Sequence, residues 1–316
     1  MPKQNLIDNN ENYTLQEILA RYLKHCESKN LAERTKEDYE YKVNKFISHV
    51  DAKHINDINP RVVEDYRLHL MERDLSDSSV NSKLKAVRAY LYYAMRLGFL
   101  EHGFKVKMIK EKKKVKETYT KKELELLLEK PDLENCGFAE YRTWVTINWL
   151  LATGNRARTL RNIKIKDLRL DEGMVRLREV KNRTEQIIPV PKHLVEIIIE
   201  YLDYREGEPG DYLFCTIYGN KICSSTLTSC IRRYNKRRGV EKTSTHLFRH
   251  TFAKLWIKNG GDIFRLQKML GHKSIDMVNE YVNMFGRDLK ENFEKFNPLN
   301  QFAKHTPDKS TIKMER

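Results

Sequence analysis

The sequence predicts a mainly α-helical protein of two domains, the second of which contains one small three-stranded antiparallel sheet. Apolar residues recur at helical spacing through residues 13–103 and through most of residues 118–296. Between residues 168 and 190 this spacing gives way to short apolar runs separated by turn residues, a pattern typical of strands. A chain of 316 residues is long enough for two domains that each bury a core.

Start and stop signals predict four helices in the first domain. Thr14-Leu-Gln-Glu17 is a capping box, and Thr35-Lys-Glu-Asp38 has the same form, so each is expected to begin a helix. Asn59-Pro60 supplies an N-cap and a first-turn proline for the third helix. The fourth helix begins at Asp77, and Gly98 can end it. These signals together predict a compact four-helix domain.

The second domain is predicted to be mostly helical. Thr120-Lys-Lys-Glu123 caps its first helix, and a long apolar helix from Phe138 to Ala152 ends at Thr153-Gly154. The three strands are predicted at residues 168–170, 174–180 and 185–190. Further helices are predicted at residues 156–163, 192–205, 224–238, 247–259 and 262–270.

A basic segment separates the two domains. Residues 105–116 contain seven lysines and one glutamate, without glycine or proline. Such a run is often only a solvated charged stretch. Its position and the charge of the whole chain favour contact with DNA phosphates, which we assign to Lys105, Lys107, Lys112, Lys113 and Lys114. The predicted organisation is a disordered N-terminus (1–12), a helical domain (13–103), a linker (104–117), a second domain (118–296) and a polar tail (297–316).

Composition and charge narrow the class of function. The chain carries 59 Lys and Arg against 44 Asp and Glu, a net charge of +15, which suits a polyanionic partner such as nucleic acid. No run of apolar residues approaches the roughly 18 to 20 needed to span a membrane. The polar start of the chain lacks the apolar segment of a signal peptide, so a cytoplasmic protein is expected.

Neither a cofactor nor a metal is expected. The five cysteines form no Cys-x-x-Cys pair and no zinc-binding spacing, which predicts reduced and partly buried thiols. The sequence also lacks the glycine-rich loop with lysine that binds nucleotide phosphates.

Six residues could together cleave a phosphodiester bond without a metal. Two arginines can hold non-bridging oxygens through forked hydrogen bonds. A lysine and histidines can move protons, and a tyrosine hydroxyl can form a covalent phosphoester. In chain order the six are Arg156, Lys181, His246, Arg249, His272 and Tyr281.

The order and spacing of these motifs resemble the tyrosine recombinase (phage integrase) family. The motifs are Thr153-Gly-Asn-Arg156, Lys181 before Ile187-Ile-Pro-Val190, His246-Leu-Phe-Arg-His-Thr-Phe-Ala253, and Leu270-Gly-His272 followed by Tyr281. The resemblance covers residues 13–295. It implies that the first domain is a core-binding, SAM-like domain, and that two domains clamp a double-stranded DNA core site. Because only about a dozen residues precede the first helix, we expect the simple two-domain type without an arm-binding domain.

The resemblance also implies a role for each residue. Tyr281 would attack the scissile phosphate to give a 3′-phosphotyrosyl link and a free 5′-hydroxyl. Arg156 and Arg249 would hold the non-bridging oxygens. Lys181 would protonate the leaving oxygen, with Lys164 and Lys166 as rival lysines. His246 would assist proton transfer to or from Tyr281, and His272 would support the phosphate.

At the level of assembly, the resemblance implies a homotetramer that acts through a Holliday junction. A C-terminal helix with the apolar stripe Leu289, Phe293 and Phe296 would dock on a neighbouring subunit. The biological outcome would be integration or excision of a mobile element, or resolution of replicon dimers. The alternatives are a type IB topoisomerase-like strand relaxase and a non-catalytic DNA-binding protein of the same fold.

Three features of the second domain leave the interpretation open. The residue three after Arg156, which is usually acidic in this family, is Thr159, so the bracing of the site is in doubt. His250 is interpreted as a core histidine whose hydrogen bonds are satisfied. The run Arg232-Arg-Tyr-Asn-Lys-Arg-Arg238 is either a solvated helix face or a DNA contact through Arg232, Arg233 and Arg237.

Overall fold

The chain forms two compact units, residues 1–114 and residues 115–316. The computed structural model describes residues 12–111, 116–178, 185–271 and 274–285. The boundary between the units falls inside the segment predicted as a linker. The described residues form twelve α-helices and one three-stranded sheet, so the predicted fold class is confirmed.

Four helices build the first unit around an aromatic core. They are α1 (Leu15–Ser28), α2 (Glu33–Ile47), α3 (Pro60–Glu72) and α4 (Asp77–Leu97). The rings of Tyr22, Tyr90 and Tyr93 meet at centroid distances of 5.4 to 6.2 Å. The Tyr90 hydroxyl is buried and donates to the Leu15 carbonyl at 2.8 Å, which ties α4 to the start of α1.

The helix signals of this unit are correct at three starts and wrong at one. The capping box at Thr14 is formed, Asn59 caps α3, and α4 begins at Asp77 as predicted. Gly98 also ends α4 as predicted, with a φ of 81°. The Thr35 box does not begin α2, because the helix already starts at Glu33 after Ala32. The Thr35 amide bonds to the Ala32 carbonyl at 2.8 Å and therefore needs no side-chain cap.

Residues that follow α4 are attached to the first unit. The buried Asn81 side chain donates to the Ile109 carbonyl and accepts from the Ile109 amide, each at 2.9 Å. Val106 is buried, whereas Lys105 and Lys107 on either side of it are exposed. These lysines are therefore presented to solvent from a fixed backbone. Lys112, Lys113 and Lys114 lie outside the described residues.

The second unit packs its helices around a strongly apolar central helix, α6 (Phe138–Thr153). Helix α10 (Thr245–Lys258) packs against α6 and against α12 (Asp276–Phe285). The remaining helices are α5 (Lys121–Leu128), α7 (Ala157–Leu160), α8 (Lys192–Arg205), α9 (Ser224–Arg237) and α11 (Ile263–Leu270).

The sheet has the strand order β1-β2-β3 and is antiparallel throughout. Its strands are β1 (Leu168–Arg169), β2 (Met174–Leu177) and β3 (Gln186–Pro189). Val175 pairs with Ile188, and both side chains enter the core. The predicted Lys181 turn joins β2 to β3 and lies, with residues 179–184, outside the described residues.

The described residues contain neither a membrane-spanning helix nor a metal-binding cluster. None of these helices is both long and apolar enough to cross a membrane. No cluster of three or more His, Cys, Asp or Glu side chains in the described ranges could hold a metal ion.

Candidate active site

The corner between α6 and α7 places Arg156. Gly154 ends α6 with a φ of 62°, a conformation that favours glycine. A Cβ atom at Gly154 would lie 2.5 Å from a Phe252 ring carbon and 2.8 Å from a Leu270 methyl carbon. The chain therefore turns here without a side chain. Arg156 becomes the N-cap residue of α7 instead of part of the predicted 156–163 helix, which is a single turn.

The C-terminal end of α11 brings the two predicted arginines together. The Leu270 carbonyl accepts from Arg249 Nη2 at 2.8 Å and from Arg156 Nη1 at 3.4 Å. Arg249 Nη1 also donates to the Gly154 carbonyl at 2.8 Å. The last carbonyls of a helix have no partner within the helix and carry partial negative charge, which suits guanidinium groups. Two main-chain carbonyls thus fix the direction of Arg249.

The two guanidinium groups carry like charges close together in a site that is partly shielded from water, which is electrostatically unfavourable. Arg249 is 5% exposed, and burial followed by the nearby charge of Arg156 lowers its pKa to about 10. Burial also lowers the pKa of Arg156. Among the described residues, no carboxylate contributes to either shift, and the phenol of Tyr281 is the group that opposes both. A bound anion would relieve this repulsion, so the arrangement favours phosphate.

His246 lies in the first turn of α10, beside the arginines. Ser244 caps this helix and accepts from the His246 amide at 3.3 Å. The side chain keeps exposed surface, yet the protein atoms around its ring lower the pKa of His246, and the charges of Arg249 and Arg156 lower it further. The neutral imidazole is therefore favoured near pH 7, where it can accept or donate a hydrogen bond.

Tyr281 lies on α12 with its ring in the core and its hydroxyl among polar groups. The residue is 3% exposed. Its hydroxyl is 2.7 Å from Nδ1 of His250, and it also hydrogen-bonds to the Arg249 guanidinium. The ammonium nitrogen of Lys116 lies 4.5 Å from the centre of its ring. The packing of the ring therefore places the Tyr281 hydroxyl next to the Arg249 guanidinium, which is held by the C-terminal end of α11.

Charged pairs and one amide hold the base of the β2–β3 hairpin. Arg178 pairs with the buried Asp167, and Arg176 bonds to Glu185 through its Nε atom at 3.0 Å. The Gln186 side-chain amide donates to the Lys268 carbonyl in the last turn of α11. The hairpin that bears Lys181 is therefore tied to the helix end that holds the arginines.

Four of the six predicted catalytic residues are described. The structure brings Arg156, Arg249 and Tyr281 together and places His246 beside the two arginines. Lys181 and His272 lie outside the described residues, and their roles stay predictions. Thr159, at the usual acidic position, is buried in α7. Of the two rival lysines, Lys164 places its ammonium 5.4 Å from the Tyr212 ring centre, and Lys166 is exposed.

Sequence reasoning missed His250 and Gln186. The interpretation of His250 as a core histidine with satisfied hydrogen bonds is correct for its hydrogen bond, but the ring is half-buried and its partner is the Tyr281 hydroxyl. The available signal was its spacing, because residues four apart on a helix share a face and His250 follows His246 at that distance. Nothing local in the sequence distinguishes Gln186 from any other polar residue at a strand end.

The basic run of α9 is less available than its sequence suggests. Arg232 and Arg233 are exposed, but Arg237 and Arg238 form ion pairs with Glu140 at 3.3 and 3.1 Å. The interleaved aromatic, Tyr234, is 3% exposed and donates to the Leu127 carbonyl at 3.1 Å. The ring of Tyr234 is therefore part of the core, and the DNA contact through Arg232, Arg233 and Arg237 stays a prediction.

Two family models match the chain, one over each unit. The model of the phage integrase family matches residues 117–286, which is more than half of the chain. The model of the phage integrase N-terminal SAM-like domain matches residues 18–95.

The chain is similar to curated tyrosine recombinases over most of its length. Tyrosine recombinase XerD of Staphylococcus haemolyticus is 26% identical over 297 residues, which cover 90% of this chain and 99% of the relative. XerD of Staphylococcus aureus strain Mu50 is 24% identical over 90% of this chain and 99% of its own.

Two DNA complexes share the fold. The Tn1549 transposon integrase in complex with a circular intermediate DNA has a TM-score of 0.71 at 19% identity, over 85% of this chain and 94% of that one. The XerH recombinase bound to a palindromic difH substrate has a TM-score of 0.69 at 20% identity, over 87% and 83%. The chain belongs to the phage integrase family of tyrosine recombinases.

Proposed function

We propose that the chain is a site-specific DNA recombinase that cleaves and rejoins double-stranded DNA through a 3′-phosphotyrosyl link to Tyr281. Family membership supports the reaction class, and the relatives that span nearly its full length are named tyrosine recombinases. The single observation that carries the assignment is the contact between the Tyr281 hydroxyl and Arg249. A nucleophile and a phosphate-binding group thereby occupy one site.

The described residues divide the proposed chemistry between them. A scissile phosphate bound between Arg156 and Arg249 would neutralise the repulsion between their charges. Each guanidinium could then donate a forked, charge-assisted pair of hydrogen bonds to it. The guanidiniums would also stabilise the negative charge that accumulates on the phosphoryl oxygens as the Tyr281 oxygen attacks. Lys181 is the proposed donor to the leaving 5′ oxygen, and His272 supports the phosphate. His246, beside the arginines, is the residue to which the family resemblance assigns proton transfer to or from Tyr281.

The finer features of the proposal concern assembly and biological role. We expect a homotetramer that exchanges C-terminal helices and passes through a Holliday junction. The exposed Lys105, Lys107, Arg232 and Arg233 are proposed to contact the DNA backbone, together with Lys112, Lys113, Lys114 and Arg237. The chain would act in the cytoplasm, on a mobile element or on replicon dimers.

The test is covalent capture of DNA. A pool of duplexes with a randomised central region and a nick is incubated with the chain in buffer with chelator. Adducts that survive denaturation are isolated, and their DNA is sequenced. Because cleavage next to a nick releases a short fragment, the phosphotyrosyl link cannot be reversed and accumulates. We expect the parent chain to enrich one core sequence and Tyr281→Phe to give no adduct.

A matched control separates loss of the nucleophile from damage to the fold. Tyr201 is a fully buried tyrosine of the same unit, and its hydroxyl donates to the Leu213 carbonyl at 3.1 Å. Tyr201→Phe should still form the adduct. An adduct that persists in Tyr281→Phe would reject Tyr281 as the nucleophile, and a parent chain that captures no DNA from the pool would reject the function.

A further inference from the structure

We infer that His250 is a catalytic residue of the proposed reaction, the general base that takes the phenolic proton from Tyr281 during attack. The inference rests on the proposed function. It assigns proton transfer at the nucleophile to His250, although the family resemblance implies His246 for that step.

The distance supports direct proton transfer. A general base must lie about 2.6–3.2 Å from the atom that it deprotonates. The 2.7 Å between Nδ1 of His250 and the Tyr281 hydroxyl meets this condition without a bridging water. The two rings are tilted by 47° at a centroid distance of 5.6 Å, so they are neighbours as well as hydrogen-bond partners.

Two cations favour negative charge on the phenolic oxygen. Arg249 hydrogen-bonds to the Tyr281 hydroxyl, and the Lys116 ammonium lies 4.5 Å from the centre of the ring. With Arg249 donating to the oxygen, the phenolic hydrogen can point to Nδ1 of His250. Positive charge around the oxygen stabilises the negative charge that develops there as the proton leaves, which reduces the barrier to proton transfer.

Helix α10 carries both the proposed base, His250, and the proposed phosphate-binding group, Arg249. His250 follows Arg249 directly on α10, and α10 packs against α12, which carries Tyr281. His246 stands one helical turn earlier, where the charges of both arginines affect its pKa. The two histidines therefore have different neighbours: His246 faces the pair of arginines, and His250 touches the nucleophile.

The proposed step balances as follows. The Tyr281 oxygen forms a bond to phosphorus while the bond from phosphorus to the 5′ oxygen breaks. The phenolic proton passes to Nδ1 of His250, and the leaving 5′ oxygen receives a proton from a separate acid, for which Lys181 is the predicted residue. In rejoining, the incoming 5′-hydroxyl attacks phosphorus and gives its proton back to the acid that was deprotonated during cleavage. The bond from phosphorus to the Tyr281 oxygen breaks, and His250 returns its proton to that oxygen.

The experiment measures the rate of adduct formation on the duplex recovered by covalent capture. The variants are His250→Asn and His250→Gln, whose amides can keep a hydrogen bond to Tyr281 but cannot take a proton at neutral pH. We expect both to slow adduct formation by roughly 10²–10⁴-fold, the range for loss of a general base. If either variant keeps a rate within about threefold of the parent, His250 only orients the ring and the inference fails.

A chemical rescue separates base catalysis from a structural defect. Replacement of Tyr281 by tetrafluorotyrosine, which is ionised near neutral pH, leaves little phenolic proton to remove. In that background His250→Asn should react within about fivefold of the chain with His250 intact. A defect that keeps its full size would overturn the inference. Rescue of His246→Asn but not of His250→Asn would also overturn it and would assign the base to His246.

A second substrate tests the direction of proton transfer. A duplex with sulfur in place of the bridging 5′ oxygen has a leaving group that needs no proton. His250→Asn should remain slow on this substrate, whereas Lys181→Ala should recover. Recovery of His250→Asn would make His250 the acid and reject its role as the base. The parent chain is assayed first on the oxygen substrate, so failure of the proposed function is seen separately.

Discussion

The two units of the chain differ in whether they bury charged side chains. In the described part of the first unit, no charged side chain is buried, and Asn81 is the buried polar residue that ties down the following segment. The described part of the second unit buries three arginines, Arg142, Arg205 and Arg249, and one aspartate, Asp167. The first unit is held by aromatic packing, whereas the second holds charges in fixed directions inside its core.

The buried charges of the second unit are themselves of two kinds. Arg142 donates to the Cys215 carbonyl at 2.6 Å, and Asp167 pairs with Arg178, so these groups connect loops to the core. Arg249 is also bound to carbonyls, but it faces a second guanidinium and its pKa is lowered. Charge held against its own preference is typical of functional sites. The comparison distinguishes the buried charges of Arg142 and Asp167, which stabilise the fold, from that of Arg249, which we propose binds a ligand.

The largest expected effect is on catalysis, from Arg249→Lys. Lysine keeps the charge, but its single ammonium cannot bond to the Gly154 and Leu270 carbonyls and also fork onto a phosphate. We expect adduct formation on the recovered duplex to fall by roughly 10²–10³-fold, as for loss of one oxyanion donor. The rate of adduct formation and the melting temperature are measured on the same preparation.

His193→Gln serves as the surface control for this substitution, since His193 is exposed at the start of α8. It should leave the adduct rate unchanged. If Arg249→Lys forms adduct at the parent rate, Arg249 does not hold the phosphate and the distinction between the two kinds of buried arginine is lost.

A smaller effect, on stability, is expected from one substitution in each unit. Arg142→Met leaves the Cys215 carbonyl without its donor and should lower the free energy of unfolding by about 1–3 kcal/mol. Tyr90→Phe removes the hydroxyl bond to Leu15 in the first unit and should lower it by about 1 kcal/mol. Denaturant unfolding, followed for both units, measures each change.

Neither substitution should alter the adduct rate per folded molecule, because neither residue faces the phosphate. If Arg142→Met abolished adduct formation while the chain remained folded, Arg142 would belong with Arg249, and the proposed division of the buried arginines would be wrong.

The sequence predicts a structural feature best when the residues that determine it lie close together in the chain. The capping box at Thr14, the N-cap at Asn59 and the glycine at the end of α4 each act within one helical turn, and all three are correct. Helix α2 starts three residues early because main-chain bonds to Ala32 replace the Thr35 cap. The helix predicted at residues 156–163 forms only one turn, since Gly154 and the distant Leu270 carbonyl determine the position of Arg156.

The candidate site shows the same limit. Motif spacing gave Arg156, Arg249 and Tyr281, which converge through the carbonyl of Leu270 and the hydroxyl of Tyr281 itself. The contact of His250 with Tyr281 joins residues 31 positions apart and depends on how α12 packs against α10. The burial of Tyr234 likewise depends on its bond to Leu127, which no charge pattern in α9 reveals.

The smallest expected effect concerns His246 and the pH dependence of DNA binding. Burial and the charges of Arg249 and Arg156 lower the pKa of His246 in the free chain. A phosphate bound between the arginines would add negative charge and raise that pKa. DNA binding would then take up a proton at any pH between the two values, and affinity would rise as the pH falls through the pKa of the bound state.

For one proton, the gain in affinity is at most about tenfold per pH unit, and we expect roughly two- to fivefold between pH 7.5 and 6. The measurement is the dissociation constant of Tyr281→Phe for the recovered duplex at constant ionic strength, with and without His246→Gln. His246→Gln should flatten the dependence, because glutamine carries no titratable proton. If affinity depends on pH equally with and without His246→Gln, His246 does not face the phosphate. Arg156 and Arg249 would then remain the proposed phosphate-binding groups.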